Sequence, residues 1–144
     1  MTFEESIQNF VKKANKNLEF VVRGVTIKLY SAIIMASPVD TGRFRMNWQA
    51  SVDNPASGIL IGEDPSGSRA INRITQFVQH STKWNEFRLT NNLPYAEVIE
   101  YGGYVPGNGP NTTGGYSKQA PQGVVRVNVA RFQRLIDEQA AKVR

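Results

Sequence analysis

Apolar residues recur every three or four positions along the early chain: Phe3, Ile7, Phe10, Ala14, Leu18, Val21, Val25, Leu29, Ala32 and Ala36. That spacing puts them on one face and predicts a single long helix over residues 2–36. Thr2 and Glu5 have the spacing of a capping box. At 1.5 Å per residue the helix would run about 50 Å, more than the width of a small domain. Two readings stay open for its first turns: they lie across the subunit's own sheet, or they pack on a neighbouring subunit. Gly24, midway, permits a bend or a close crossing.

The period then changes from helical to alternating. Phe44, Met46, Trp48, Ala50 and Val52 alternate with Arg43, Arg45, Asn47, Gln49 and Ser51, which predicts a half-buried strand from Arg43 onward. Between helix and strand lies Ser37-Pro38-Val39-Asp40-Thr41-Gly42. Pro38 lacks an N–H and biases Ser37 away from helical dihedrals, so the helix should stop there. Asp40, Thr41 and Gly42 are turn chemistry, read as an Asx-type turn.

Further along, Asn54-Pro55-Ala56-Ser57-Gly58 is a turn, and Ile59-Leu60-Ile61 reads as a short strand pairing back on the first. Ser68 is placed to cap a helix over 69–80, with Ile71, Ile74 and Val78 on one face. Phe87 and Leu89 alternate in another strand. Pro94 opens a helical turn from Tyr95 to Tyr101, which Gly102 can end as a left-handed cap. Residues 102–123 hold seven glycines and three prolines, too little apolar area to fix the segment by itself. They are expected to form a flexible arm that orders against a partner, the alternative being a loop disordered in every state. From about residue 124, Val125, Val129, Phe132, Ile136, Ala140 and Val143 keep a helical period to the end. The whole is one domain of class α+β. A long N-terminal and a C-terminal helix are expected on one face of a small, mainly antiparallel sheet of three to four strands.

Two sequence blocks carry a resemblance beyond this pattern. The Ser-Pro-Val-Asp-Thr-Gly-Arg turn into Asn47-Trp48 follows a long helix, and Asn92-Leu93-Pro94-Tyr95-Ala96 precedes Ile99-Glu100-Tyr101-Gly102. In order and spacing these blocks resemble the tail-completion (head–tail joining, neck) proteins of tailed bacteriophages. Ala120-Pro121-Gln122-Gly123, leading into the last helix, is a weaker third match. The resemblance implies a compact α+β subunit without catalysis or cofactor, forming a sixfold or twelvefold ring. It implies partners in the connector or stopper and in the tail terminator or tail tube proteins. It also implies a place in the virion neck, after assembly in the host cytoplasm. Neither composition nor periodicity leads to that family.

Charge and candidate chemistry narrow the rest. The net charge is +5, from basic residues spread along the chain, which permits contact with nucleic acid or an acidic surface but forms no single stripe. A small basic protein binding nucleic acid without sequence preference is the alternative function; in a neck ring, some basic residues would meet DNA phosphates in the lumen. There are no cysteines, so disulfides, thiol chemistry and the usual Cys/His zinc sites are excluded. No run reaches the roughly 18–20 apolar residues of a membrane span. The acidic start Met1-Thr2-Phe3-Glu4-Glu5 lacks a signal design, so the chain is expected to stay in the cytoplasm.

Asp40-Thr41-Gly42 matches the aspartic-protease triplet, but it follows a helix end and a proline, and Arg43 would hold the aspartate ionised. Glu97 and Glu100 share a helix face and would make only a thin cation or acid/base site. Their ordinary reading is an exposed Glu97 and a Glu100 paired with Arg43 or Arg45, within the subunit or across an interface. His80 is the sole histidine and reads as an exposed residue after a helix. No phosphate loop is present, because no Gly-Lys-Ser/Thr follows the glycines. No metal ligands or catalytic residues are therefore assigned. The interface candidates are Arg43, Arg45, Tyr95, Glu97, Glu100, Tyr101, Tyr104 and Tyr116, which combine charge with amphipathic aromatic character.

Overall fold

The computed structural model describes residue 2 and residues 4–6, 18–104 and 112–142. In chain order the elements are helix α1 (Leu18–Ala36), a helical turn α2 (Arg43–Met46), strand β1 (Trp48–Val52), helix α3 (Ser68–His80) and strand β2 (Phe87–Asn91). Helix α4 (Ala96–Tyr101), strands β3 (Thr112–Thr113) and β4 (Tyr116–Ser117), and helices α5 (Val125–Val129) and α6 (Phe132–Ala141) follow. The class is α+β. The capping box forms as expected, with Glu5 N–H donating to Thr2 Oγ1 and Thr2 N–H to Glu5 Oε2. The continuity of the long helix between residues 6 and 18 lies outside the described residues.

Helix α1 is the axis of the core. It buries Val21, Val25, Leu29, Tyr30, Ile33 and Ile34. Ile34, with Ile33 beside it, is fully enclosed, although neither belonged to the expected stripe. Tyr30, Ile33 and Ile34 share a cluster with Ala70, Ile74 and Val78 of α3 and with Phe44, Trp48, Leu93, Ile99 and Val124. Val21 and Val25 meet Ile136 of α6. Thus α1 packs chiefly on α3 and α6, and the C-terminal helix lies on α1 rather than on a sheet.

The strands divide into two antiparallel pairs, β1 with β2 and β3 with β4, instead of one sheet of three or four. Trp48 faces Asn91 and Val52 faces Phe87 across the first pair. The expected partner, Ile59–Ile61, forms no strand. The buried Asn47 side chain occupies its ladder position: Nδ2 donates to Leu60 O at 3.1 Å, and Leu60 N–H donates to Oδ1 at 2.7 Å. The expected strand also begins late, because Arg43–Met46 is a helical turn. Gly42 adopts φ 95°, and its carbonyl accepts from Met46 N–H in the helical i to i+4 pattern.

Three other expectations are corrected locally. Helix α3 begins where expected, but its cap is the buried Asp64, whose Oδ2 accepts from Ala70 N–H at 2.8 Å, rather than Ser68. The last helix is interrupted at Ala130–Arg131, where Arg131 N–H bonds three residues back to Asn128 O, while the Asn128 side-chain amide donates inward to Val124 O. The flexible arm expected over 102–123 is anchored in its own subunit from 112 onward. Gly103 and Tyr104 N–H groups both donate to Gly115 O, Ser117 and Ala120 are buried, and Gln119 grips Val39 through its N–H and C=O at 2.8 and 2.9 Å. Residues 105–111 of that arm lie outside the described residues.

Gly42 is the position where backbone and packing demand glycine together. Its dihedral is left-handed, and a Cβ there would run into the backbone of Asp64 and Pro65. Gly42→Ala is expected to cost at least about 2 kcal/mol, read as a lowered urea midpoint with unchanged slope.

Candidate functional site

The first motif block folds as a knot at the end of α1. Ser37 Oγ donates to Ile33 O at 2.7 Å, as a helix-terminal hydroxyl does, and accepts from Trp48 Nε1 at 2.8 Å. Arg45 then closes the turn. Its guanidinium donates to Ser37 O, Pro65 O and Met35 O at 3.1, 2.9 and 2.9 Å. Arg45 is therefore committed inside its own subunit. Thr41 Oγ1 accepts from Arg43 N–H at 3.3 Å, so the hydroxyl of Thr41 makes the local turn bond. The Asp40 carboxylate makes no hydrogen bond or ion pair among the described residues, which corrects the Asx-type expectation.

The second block meets the first through aromatic contact. Phe44 lies 5.5 Å from Trp48, edge to face, and 5.9 Å from Tyr95. Asn91 Nδ2 donates to Phe44 O at 3.0 Å. Burial raises the Tyr95 phenol above its ordinary value, and the charge and hydrogen bond of Arg43 pull against that rise.

The third block is held by Glu100. Its buried carboxylate accepts from Val124, Val125 and Arg126 N–H at 2.8, 2.7 and 3.0 Å, capping α5 from another part of the chain. Arg126 Nε adds a charged bond at 2.9 Å, and its Nη2 reaches Glu100 O. The partner of Glu100 is thus Arg126, and neither Arg43 nor Arg45. The backbone donors at the start of α5 decided it, since only a carboxylate on α4 could serve several of them at once. Gly123, at φ 81°, leaves room for this contact; a Cβ there would press on the Glu100 carbonyl. Arg126 also lies over the Tyr101 ring at 4.7 Å. Tyr116 packs against Gly102, and its hydrogen bond helps to hold Arg126 above its ordinary value.

The first two blocks, with Tyr104, Thr112, Ser117 and Gln119, wall a concavity of about 700 Å³. Pro38, Val39, Asp40, Thr41, Gly42, Arg43 and Phe44 form one side, Tyr95 and Ile99 the floor, and Tyr104, Thr112, Ser117 and Gln119 the other. The structure therefore brings Asp40, Arg43, Tyr95 and Tyr104 together. Glu97 and Tyr101 stay exposed on α4, while the Glu100 carboxylate is buried and committed to the start of α5. His80 ends α3, exposed, bonded to Gln76 at 3.0 Å. Among the described residues no group of three or more His, Asp or Glu is placed to hold a metal ion, and no helix is long and apolar enough to cross a membrane. Asn47, Gln119 and Arg126 escaped sequence reading because each acts on backbone far along the chain.

No family model, curated protein or solved structure matches the chain.

Glu100 gives the joint a pH signature. Burial alone would raise its pKa, but the N–H groups of Val125, Arg126 and Val124 and the Arg126 side chain together lower it below the ordinary 4.5. A group depressed on folding contributes its stability above the unfolded value and loses it as pH falls through the folded value. Thermal stability should therefore decline below about pH 4.5. Glu100→Gln should flatten that decline and cost about 1–3 kcal/mol at pH 7, measured by melting across pH.

Proposed function

We propose that this chain is a structural virion protein of a tailed phage. In this reading it is a neck or tail-completion subunit that assembles into a ring at the head-proximal end of the tail and helps to join tail to head. The observation that supports this reading is the contiguity of the three motif blocks. Residues 37–48, 92–102 and 120–123, far apart in sequence, meet through the Phe44–Tyr95 ring contact, through Ala120 in one core cluster with Phe44, Trp48, Leu93 and Ile99, and through the close approach of Gly123 to the Glu100 carbonyl. Residues that resemble a family in order and spacing also form one structural unit, as a family-defining subunit core would.

The mechanism is assembly without chemistry. Identical subunits meet through head-to-tail contacts that close into a ring of sixfold or twelvefold symmetry. The ring then docks on the connector or stopper on one side and on the tail terminator or tail tube on the other. Exposed side chains beside the motif unit, among them Glu97, Tyr101 and Arg43, are available for these partners. Basic residues facing the lumen would meet DNA phosphates without reading sequence.

The test is the mass of the purified protein by light scattering, alone and with connector and tail-end proteins. A ring in either condition is the expected result, and its mass gives the symmetry. A monomer that ignores those proteins but binds DNA, with affinity falling steeply as salt rises, overturns the reading in favour of a nucleic-acid-binding protein.

A further inference from the structure

The loop between β1 and α3 holds two isoleucines out into water. Ile61 is 97% exposed and Ile59 45%. Loops that expose large apolar side chains are usually free to fold them back, but this one is pinned. Asn47 binds both backbone groups of Leu60. Gln49 Nε2 donates to Gly58 O at 2.9 Å, and Asn92 Nδ2 donates to Ala56 O and Gly58 O, both at 3.0 Å. Three side-chain amides thus fix the backbone that presents Ile59 and Ile61. Such preorganisation lowers the ordering cost of binding. Two residues after Ile61, the exposed Glu63 has no ion-pair partner among the described residues.

The matching surface is on the same chain. The motif concavity is lined by the half-buried Pro38, Val39 and Tyr95, with the buried Phe44 and Ile99 behind them, and by the exposed, cationic Arg43. Arg43 is exposed and forms no salt bridge among the described residues. It also borders the shallow hollow beneath Ile59, Ile61 and Glu63. Apolar knob, acidic neighbour, half-buried lining and cationic Arg43 therefore form one continuous face. A continuous face carrying both halves of a contact is self-complementary about a twofold axis, where residue i meets j and j meets i.

We propose that a second copy of this chain docks on this face as a twofold pair. Ile61 of each copy enters the concavity of the other, and Glu63 of each meets Arg43 of the other. The pairing stands on this face alone and does not rest on the neck reading.

Sedimentation equilibrium of the full chain, over a range of concentrations at low salt, tests the pairing. A concentration-dependent monomer–dimer equilibrium is expected. Ile61→Asp, Arg43→Glu and Glu63→Arg should each raise the dissociation constant by at least about tenfold. All three positions are exposed, so circular dichroism should show an unchanged fold. The double variant R43E/E63R should recover most of the wild-type affinity. An equimolar mixture of the R43E and E63R proteins should also dimerise, because both contacts are restored across the mixed pair. The proposal is overturned by a wild-type chain that stays monomeric at every concentration. It is equally overturned by an oligomer that I61D leaves intact, or by a double variant that recovers nothing.

Discussion

The arrangement of this chain depends on one buried carboxylate. Helix α5 begins with backbone donors that have no partner in their own helix, and it begins inside the protein, where water does not serve them. Glu100 supplies the missing acceptor from α4 and takes three N–H groups and the Arg126 side chain. The cost of burying the charge is offset by the number and quality of these bonds. Since α6 follows α5 directly and packs on α1, the same carboxylate fixes where the C-terminal helix crosses the core. The β3–β4 hairpin lies beside α4 and is positioned by the same region through Gly102 and Tyr116.

The same solution recurs wherever strands are too short to satisfy the backbone. Two pairs of short strands leave many loop carbonyls facing the interior, and side chains take the place of ladder partners. Arg45 ties three carbonyls at the end of α1, and Arg73 binds Met46 O and Trp48 O at 2.8 and 2.7 Å. Arg23 reaches Val78 O in the last turn of α3 and Ser81 O at its C-cap. Burial pulls the Arg73 pKa down, with Asp64 opposing that pull, yet its hydrogen bonds keep it in place. Among the described residues no buried side-chain nitrogen or oxygen lacks a partner. Arg23, Arg45 and Arg73 are thus bound to the protein's own carbonyls.

What was legible in the sequence is what depends on neighbours along the chain. The face of α3, the stop at Pro38 and the turn at Gly42 follow from residues within a few positions, whereas the stripe read on α1 missed Ile33 and Ile34, which its tertiary packing on α3 buries. The α+β class follows from their order. What was not legible depends on pairing across distance. Ile59–Ile61 has the composition of a strand, but Asn47 already satisfies Leu60, so no ladder forms. Residues 112–123 have the composition of a free arm, but Gln119 and Ala120 dock on surfaces contributed by Val39 and the core. The candidate site divides in the same way. The turns that carry Phe44 and Tyr95 are local, whereas the partner of Glu100 could not be read, because nothing near Glu100 in sequence marks Arg126.

The motif residues separate into two groups once the contacts are known. Ser37, Arg45, Asn47, Trp48, Glu100 and Gly123 are used within the subunit, and their chemistry is fully engaged in holding it together. Asp40, Arg43, Glu97 and Tyr101 stand around them with exposed side chains. An interface needs both groups. The internal set makes the surface rigid, so that little order has to be gained on association. In the proposed interface, the outer set would supply the charge and aromatic area by which one partner is told from another.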